Sequence, residues 1–169
     1  VNAYVLRSGP AYPWGNTLST LASADLTIVN LECVISRAGK PWSRWPKVFH
    51  FQADPVAKTS LELASIDCVS LANNHVLDFE EEGLKEMLEL LDKGKIQHAG
   101  AGVNLQEAMR PALLEACGLK VAVVAFTDNE PGWKATANTP GINYIEVSLA
   151  EESLRTVKEC IAQSRSAGA

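Results

Sequence analysis

Ile66-Asp67-Cys68-Val69-Ser70-Leu71-Ala72-Asn73-Asn74-His75 is the stretch on which the reading of this chain turns. A largely apolar run stops at two carboxamides and an imidazole. Its length and composition predict a buried strand over residues 66–71, with residues 72–79 as the exit loop. Upstream, Leu26-Thr27-Ile28-Val29 is a second β-type run, and it ends in Asn30-Leu31-Glu32. It predicts a strand over residues 26–33. Two strands that each deliver asparagine and an ionisable side chain predict one shared site. In open α/β sheets, ligands bind in the crevice beyond the carboxyl ends of the strands.

Working outward, residues 18–24 read as a short helix, with Asn16 or Thr17 as its cap. Residues 34–53 read as a long loop in which Trp42, Trp45, Phe49 and Phe51 alternate with basic side chains. Asp54-Pro55 predicts a helix start, with Asp54 as cap and Pro55 at the first helical position, where its missing N–H costs nothing. Residues 80–93 form an amphipathic helix. Leu84, Met87, Leu88, Leu90 and Leu91 make one apolar face, and Glu80, Glu81 and Glu82 lie where the helix dipole favours acids. A third strand is predicted over residues 96–99, a helical turn over 104–109, and a hairpin from 112–117 and 119–127 around Gly118. A polar loop, a strand over 142–147 and a helix over 151–164 close the chain. The early order strand, helix, strand, helix, strand predicts parallel pairing in a single α/β domain over residues 1–169.

Composition narrows the function classes. Of 169 residues, 47% are apolar and 21% charged, which fits a folded globular domain. A net charge of −5 and the lack of a basic stripe argue against a nucleic-acid partner. No apolar stretch reaches the roughly 20 residues of a membrane helix, and no signal peptide follows Val1. Cys33, Cys68, Cys117 and Cys160 lack paired spacing and read as free thiols, in keeping with a reducing compartment without excluding export.

Glutamate, asparagine and histidine at strand ends suit a divalent metal. A carboxylate bridges ions, a carboxamide offers a neutral oxygen, and imidazole offers nitrogen or a proton. Each group also has a plainer reading. Asn73-Asn74-His75 fits a tight turn, and Glu32 fits a helix cap or an ion pair. Asp78 fits the cap of the helix that starts at Glu80, or a partner that orients His75. Arg37, Lys40, Arg44 and Lys47 could hold an anionic substrate, or simply be solvated loop charges. Gly100-Ala101-Gly102 reads as a tight turn, because Leu105 stands where a dinucleotide motif needs its third glycine. His50 and His98 read as structural. Asp128-Asn129-Glu130 reads as a polar turn, or as further polar groups for the crevice.

Residues 24–127 resemble the bacterial capsule-synthesis family for poly-γ-glutamate, the CapA or PgsA type. The matching stretches are Asp25-Leu-Thr-Ile-Val-Asn-Leu-Glu32, Val48-Phe-His-Phe51, Ile66-Asp-Cys-Val-Ser-Leu-Ala-Asn-Asn-His-Val-Leu-Asp78, Gly100-Ala-Gly-Val-Asn104, and Pro111 with the following strand. That family resembles the calcineurin-like metallophosphatases, which hold two metal ions between the sheets of an α/β sandwich. The resemblance implies a partial metallophosphatase-like α/β sandwich, mainly parallel at the start, with a β-hairpin later. It implies Glu32 as a metal-bridging acid and Asn74 as a metal ligand. His75 would protonate a leaving oxygen or stabilise charge, with Asn30, Asn73 and Asp78 shaping the site. The implied cofactors are divalent ions (Mn, Zn or Fe), two in a full-length protein.

The chain departs from that pattern in places. It has no Gly-Asp dipeptide, which ends the first metal-binding strand of the superfamily, and only three histidines. The expectation is an incomplete domain lacking the first and last metal motifs. Such a fragment would bind metal weakly or not at all, would not turn over alone, and would expose a strand edge open to self-association. Glu80 stands where the family has glycine. The resemblance implies capsule biosynthesis by a metal-dependent, phosphoesterase-like hydrolase acting on a phosphoester or an anionic polymer. The alternative is a non-catalytic accessory that binds the acidic polymer through the basic loop. The family implies the cell envelope; the chain itself carries no address.

Overall fold

The computed structural model describes residues 2–149 and 151–169. The chain runs through α1 (Asn2–Ser8), α2 (Leu18–Ala22), β1 (Ile28–Asn30), β2 (Val34–Ile35), β3 (Gln52–Ala53), α3 (Ala57–Leu63), β4 (Cys68–Ser70) and α4 (Glu80–Lys93). It continues through β5 (Gln97–Ala99), β6 (Ala101–Gly102), α5 (Leu105–Met109), β7 (Ala112–Ala116), β8 (Leu119–Val123), β9 (Gly141–Ile142) and α6 (Glu151–Ser166). As expected, β1, β4 and β5 form a parallel sheet in the order β1-β4-β5, with Asn30 opposite Ser70 and Ser70 opposite Ala99. Among the described residues no strand pairs with the outer edge of β1, where Ile28 and Asn30 are exposed.

Alternation along β4 divides the core. Val69, with Leu71 just beyond the strand, belongs to the larger cluster, with Leu84, Met87 and Leu91 from α4 and Leu61 from α3. Cys68 belongs to a second cluster with Ala99 and Ala112, against which Leu114 and Val123 of the antiparallel hairpin β7–β8 pack. The sheet is therefore covered by helices through one cluster and by a hairpin through the other, a mixed α/β sandwich. The hairpin turn uses Cys117 and Gly118, both at positive φ (52° and 76°), as a tight two-residue connection requires. No described helix is long and apolar enough to cross a membrane.

Several expectations need correction. Residues 34–53 are not all loop: Val34 N donates to Phe51 O and Ser36 N to Ala53 O, both at 2.9 Å, and close the parallel pair β2–β3. Asp54 does not cap α3. Its Oδ1 accepts from Val56 N at 3.0 Å in a local turn, which delays the helix to Ala57 and leaves Pro55 outside it. The strand expected over 142–147 shrinks to β9. Asp78 does not cap α4 either; Phe79 occupies the cap position and makes no side-chain cap bond. Glu80 opens α4 at φ 56°, the left-handed region that glycine enters without steric cost, at the position where the family resemblance places glycine.

Gly100, at φ 97°, lets the chain after β5 pass close to the exit of β4. A Cβ there would lie 2.6 Å from Ala72 Cβ. This close approach holds the β4 exit against its neighbour just before Asn73.

Candidate functional site at two strand ends

The carboxyl ends of β1 and β4 are joined by side chains. Asn30 Nδ2 donates to Glu32 Oε1 at 2.7 Å, and Asn73 Nδ2 donates to Asn30 Oδ1 at 3.0 Å. Asn73 Nδ2 also reaches Leu31 O at 2.9 Å, and its Oδ1 accepts from His75 N at 2.9 Å. Asn73 is buried and spends both Nδ2 hydrogens on these bonds, so it offers no N–H donor to a ligand. The hydrogen bonds bear out the turn reading of Asn73-Asn74-His75. Asn73 builds the turn, and the turn aims its two neighbours.

His75 is held on three sides. Its Nδ1 lies 2.8 Å from Asp78 Oδ2; a carboxylate only accepts, so Nδ1 carries the proton. That leaves Nε2 as an acceptor, 3.3 Å from Asn74 Nδ2. The Phe51 ring stacks on the imidazole at 4.4 Å and 27°. Asp78 is fully buried and also accepts from Phe51 N at 2.7 Å, so one carboxylate fixes both the imidazole and the ring that stacks on it.

Beneath this pair sits a buried cation. Lys47 Nζ donates to Asn74 O at 2.6 Å and lies 3.5 Å from both Asp78 Oδ1 and Glu130 Oε1. Its side chain is only 8% exposed and lies over the Trp133 ring at 5.0 Å. Asp78 Oδ1 makes no aligned hydrogen bond, so the Lys47 contact is an ion pair by distance alone. The Asp78 charge is felt further: burial, and then that carboxylate, push the Cys33 thiol up to about 11.

The other predicted site residues divide. Arg37 pairs with Asp54 (2.8 Å), and Arg44 with Glu80 (3.1 Å) and Glu81 (3.4 Å). With Lys47 buried, only Lys40 of the four basic residues is an exposed cation with no carboxylate partner among the described residues. His50 and His98 have the structural contacts expected of them, His50 at Trp42 O and His98 at Asp92. The sequence reading missed the burial of Lys47, the stacking of Phe51 and the anchoring role of Glu130, which also accepts from Trp45 Nε1 at 3.2 Å. The one available signal was the density of aromatic residues around Lys47, since a cation among aromatics is a candidate for burial.

Among the described residues no group of three or more His, Cys, Asp or Glu side chains is arranged to hold a metal ion. With Asn73 and Asp78 engaged, and His75 Nε2 accepting from Asn74 Nδ2, the donors left at these strand ends are the Glu32 carboxylate and the Asn74 carboxamide oxygen. This oxygen-rich set fits part of the coordination sphere of a divalent ion, not a closed site.

Comparison with known proteins agrees with this architecture. The chain is 33% identical over 138 residues to a probable polyglutamine synthesis accessory protein of Mycobacterium tuberculosis, covering 78% of this chain and 36% of that protein. It is 27% identical over 143 residues to the capsule biosynthesis protein CapA of Bacillus anthracis (83% and 35%). It is 29% identical over 105 residues to the PGA biosynthesis protein CapA of Bacillus subtilis (61% and 28%). The chain spans little more than a third of the length of the first two relatives. The sequence model of the bacterial capsule synthesis protein family PGA_cap matches residues 2–169, and the chain belongs to that family.

Proposed function

We propose that this chain supplies part of a divalent-metal centre that hydrolyses a phosphoester during synthesis of a poly-γ-glutamate capsule. The observation that carries the reading is the hydrogen-bonded path Glu32–Asn30–Asn73–His75, which joins the two strand ends into one crevice. Glu32 and Asn74 are the residues that would hold a metal ion, which would polarise a phosphoryl oxygen. His75 Nε2 is the ring nitrogen not bonded to Asp78, 3.3 Å from Asn74 Nδ2. When Nε2 is protonated as well, Asp78 stabilises the imidazolium, and the ring can deliver that proton to a leaving oxygen. Lys47 keeps Asp78 and the Asn74 backbone in place.

A dinuclear centre draws ligands from several strands, and this chain would contribute Glu32 and Asn74. Alone it binds Mn²⁺ weakly and does not turn over. The accessory reading rests on the basic loop, three of whose four cations already face carboxylates of the same chain. The test is binding of inorganic phosphate with and without Mn²⁺, run beside Glu32→Gln and Asn74→Ala. Phosphate binding that needs Mn²⁺ and both side chains supports the centre. Metal-independent phosphate binding that survives both substitutions contradicts it.

A further inference from the structure

A cavity of about 610 Å³ opens beside this crevice, a volume typical of small-molecule sites. It shares Glu32 and Phe51 with the site just described. Its remaining wall is largely apolar, from Trp14, Leu31, Ile35, Ala57 and Leu61. Among the described residues no lysine or arginine lines it, and Glu32 brings a carboxylate to it. An acidic polymer therefore has no counter-charge inside. Ser60 belongs to the wall, but its hydroxyl oxygen is buried and does not face the cavity.

We propose that this cavity binds the apolar part of an amphiphilic ligand, an alkyl, prenyl or aryl group esterified to a phosphate, with the phosphate directed toward the crevice at Glu32. The inference rests on the phosphoester reading for the head group only. The cavity's preference for an apolar body stands on its own lining. Phe51 would couple the two regions, because it borders the cavity and stacks on His75.

The experiment titrates the whole chain, with Mn²⁺, against inorganic phosphate, butyl phosphate, octyl phosphate and phenyl phosphate, and separately against 1-octanol. The methyl resonances of Leu31, Ile35 and Leu61 are followed throughout. The expected result is a gain of up to about fourfold in affinity per added methylene until the cavity is full, with shifts at those methyls for 1-octanol too. Phenyl phosphate distinguishes an aryl from an alkyl occupant. Ala57→Phe, which fills the cavity, abolishes the chain-length gain and leaves phosphate binding unchanged. If 1-octanol shifts these methyls but alkyl phosphates bind no better than alcohols, the cavity stands and the phosphoester centre fails. Affinity independent of chain length with no methyl shifts in the wild-type chain would overturn the proposal, as would a chain-length gain that survives in folded Ala57→Phe.

Discussion

Lys47→Met removes a charge that the structure has taken out of water. The lysine side chain is 8% exposed, 3.5 Å from Asp78 and 3.5 Å from Glu130, and it donates to Asn74 O at 2.6 Å. Methionine keeps most of the volume, so the cavity term is small. What remains is a fully buried Asp78 without its counter-ion. Removing one partner of a buried pair costs about 3–5 kcal/mol, and the residual bonds to Asp78 from Phe51 N and His75 favour the lower figure of about 3 kcal/mol. For a domain of this size, about 1 kcal/mol moves the midpoint by about 2–4 °C, so Tm should fall by about 6–12 °C. Urea unfolding of Lys47→Met, Asp78→Asn and the double variant tests this. The double variant should lose less than the sum of the two, because each single variant strands the other charge. A loss below about 0.5 kcal/mol for Lys47→Met, the figure for an ordinary surface side chain, or strict additivity, would refute the buried-strut account and return Lys47 to the pool of substrate-binding cations.

Three further outcomes follow from local geometry. Lys95 is exposed and sits at φ 57°, so Lys95→Gly should stabilise the chain by about 1 kcal/mol; unchanged or lower stability in urea would mean the left-handed backbone carries no strain. The Ser36 hydroxyl, helped by the backbone N–H groups of Ala38 and Arg37, holds the Glu86 carboxyl below its ordinary 4.5. A depressed carboxyl contributes stability above pH 4.5 and loses it as pH falls through the lower folded-state value. Glu86→Gln should therefore flatten that part of the acid limb of a stability–pH profile, and an unaltered limb would contradict the assignment. Finally, with its thiol pushed up to about 11, the half-buried Cys33 should alkylate far more slowly at neutral pH than the exposed Cys117, as peptide mapping after iodoacetamide would reveal; equal rates would be inconsistent with the raised thiol.

The features legible in the sequence are those written in local chemistry. The apolar period of α4 gave its limits, Gly118 between two β-type runs gave the hairpin, and the polar stop after Leu71 gave the end of β4. What escaped is set by contacts between distant residues. β2 and β3 are two residues each, too short for alternation to register, and exist because their backbones find each other across 16 intervening residues. Asp78 had two local readings, and the helix cap was the favoured one. The choice fell to His75 and Phe51 N because those donors are buried with it, whereas the start of α4 is served by the chain turning at Phe79 and Glu80. The basic loop read as solvated charge or as a surface for anions because charge was visible and its partners were not; Asp54, Glu80, Glu81, Asp78 and Glu130 face three of its four cations.

The central claim is that the ends of β1 and β4 make one cation-binding crevice. Mn²⁺ added in small amounts to the isotope-labelled chain broadens the amide resonances nearest to it. The account predicts that Asn30, Glu32, Asn74 and His75 broaden first, and that a Glu32→Gln/Asn74→Ala double variant loses the effect. Broadening centred on the acidic face of α4, with the two strand ends left sharp, would contradict it.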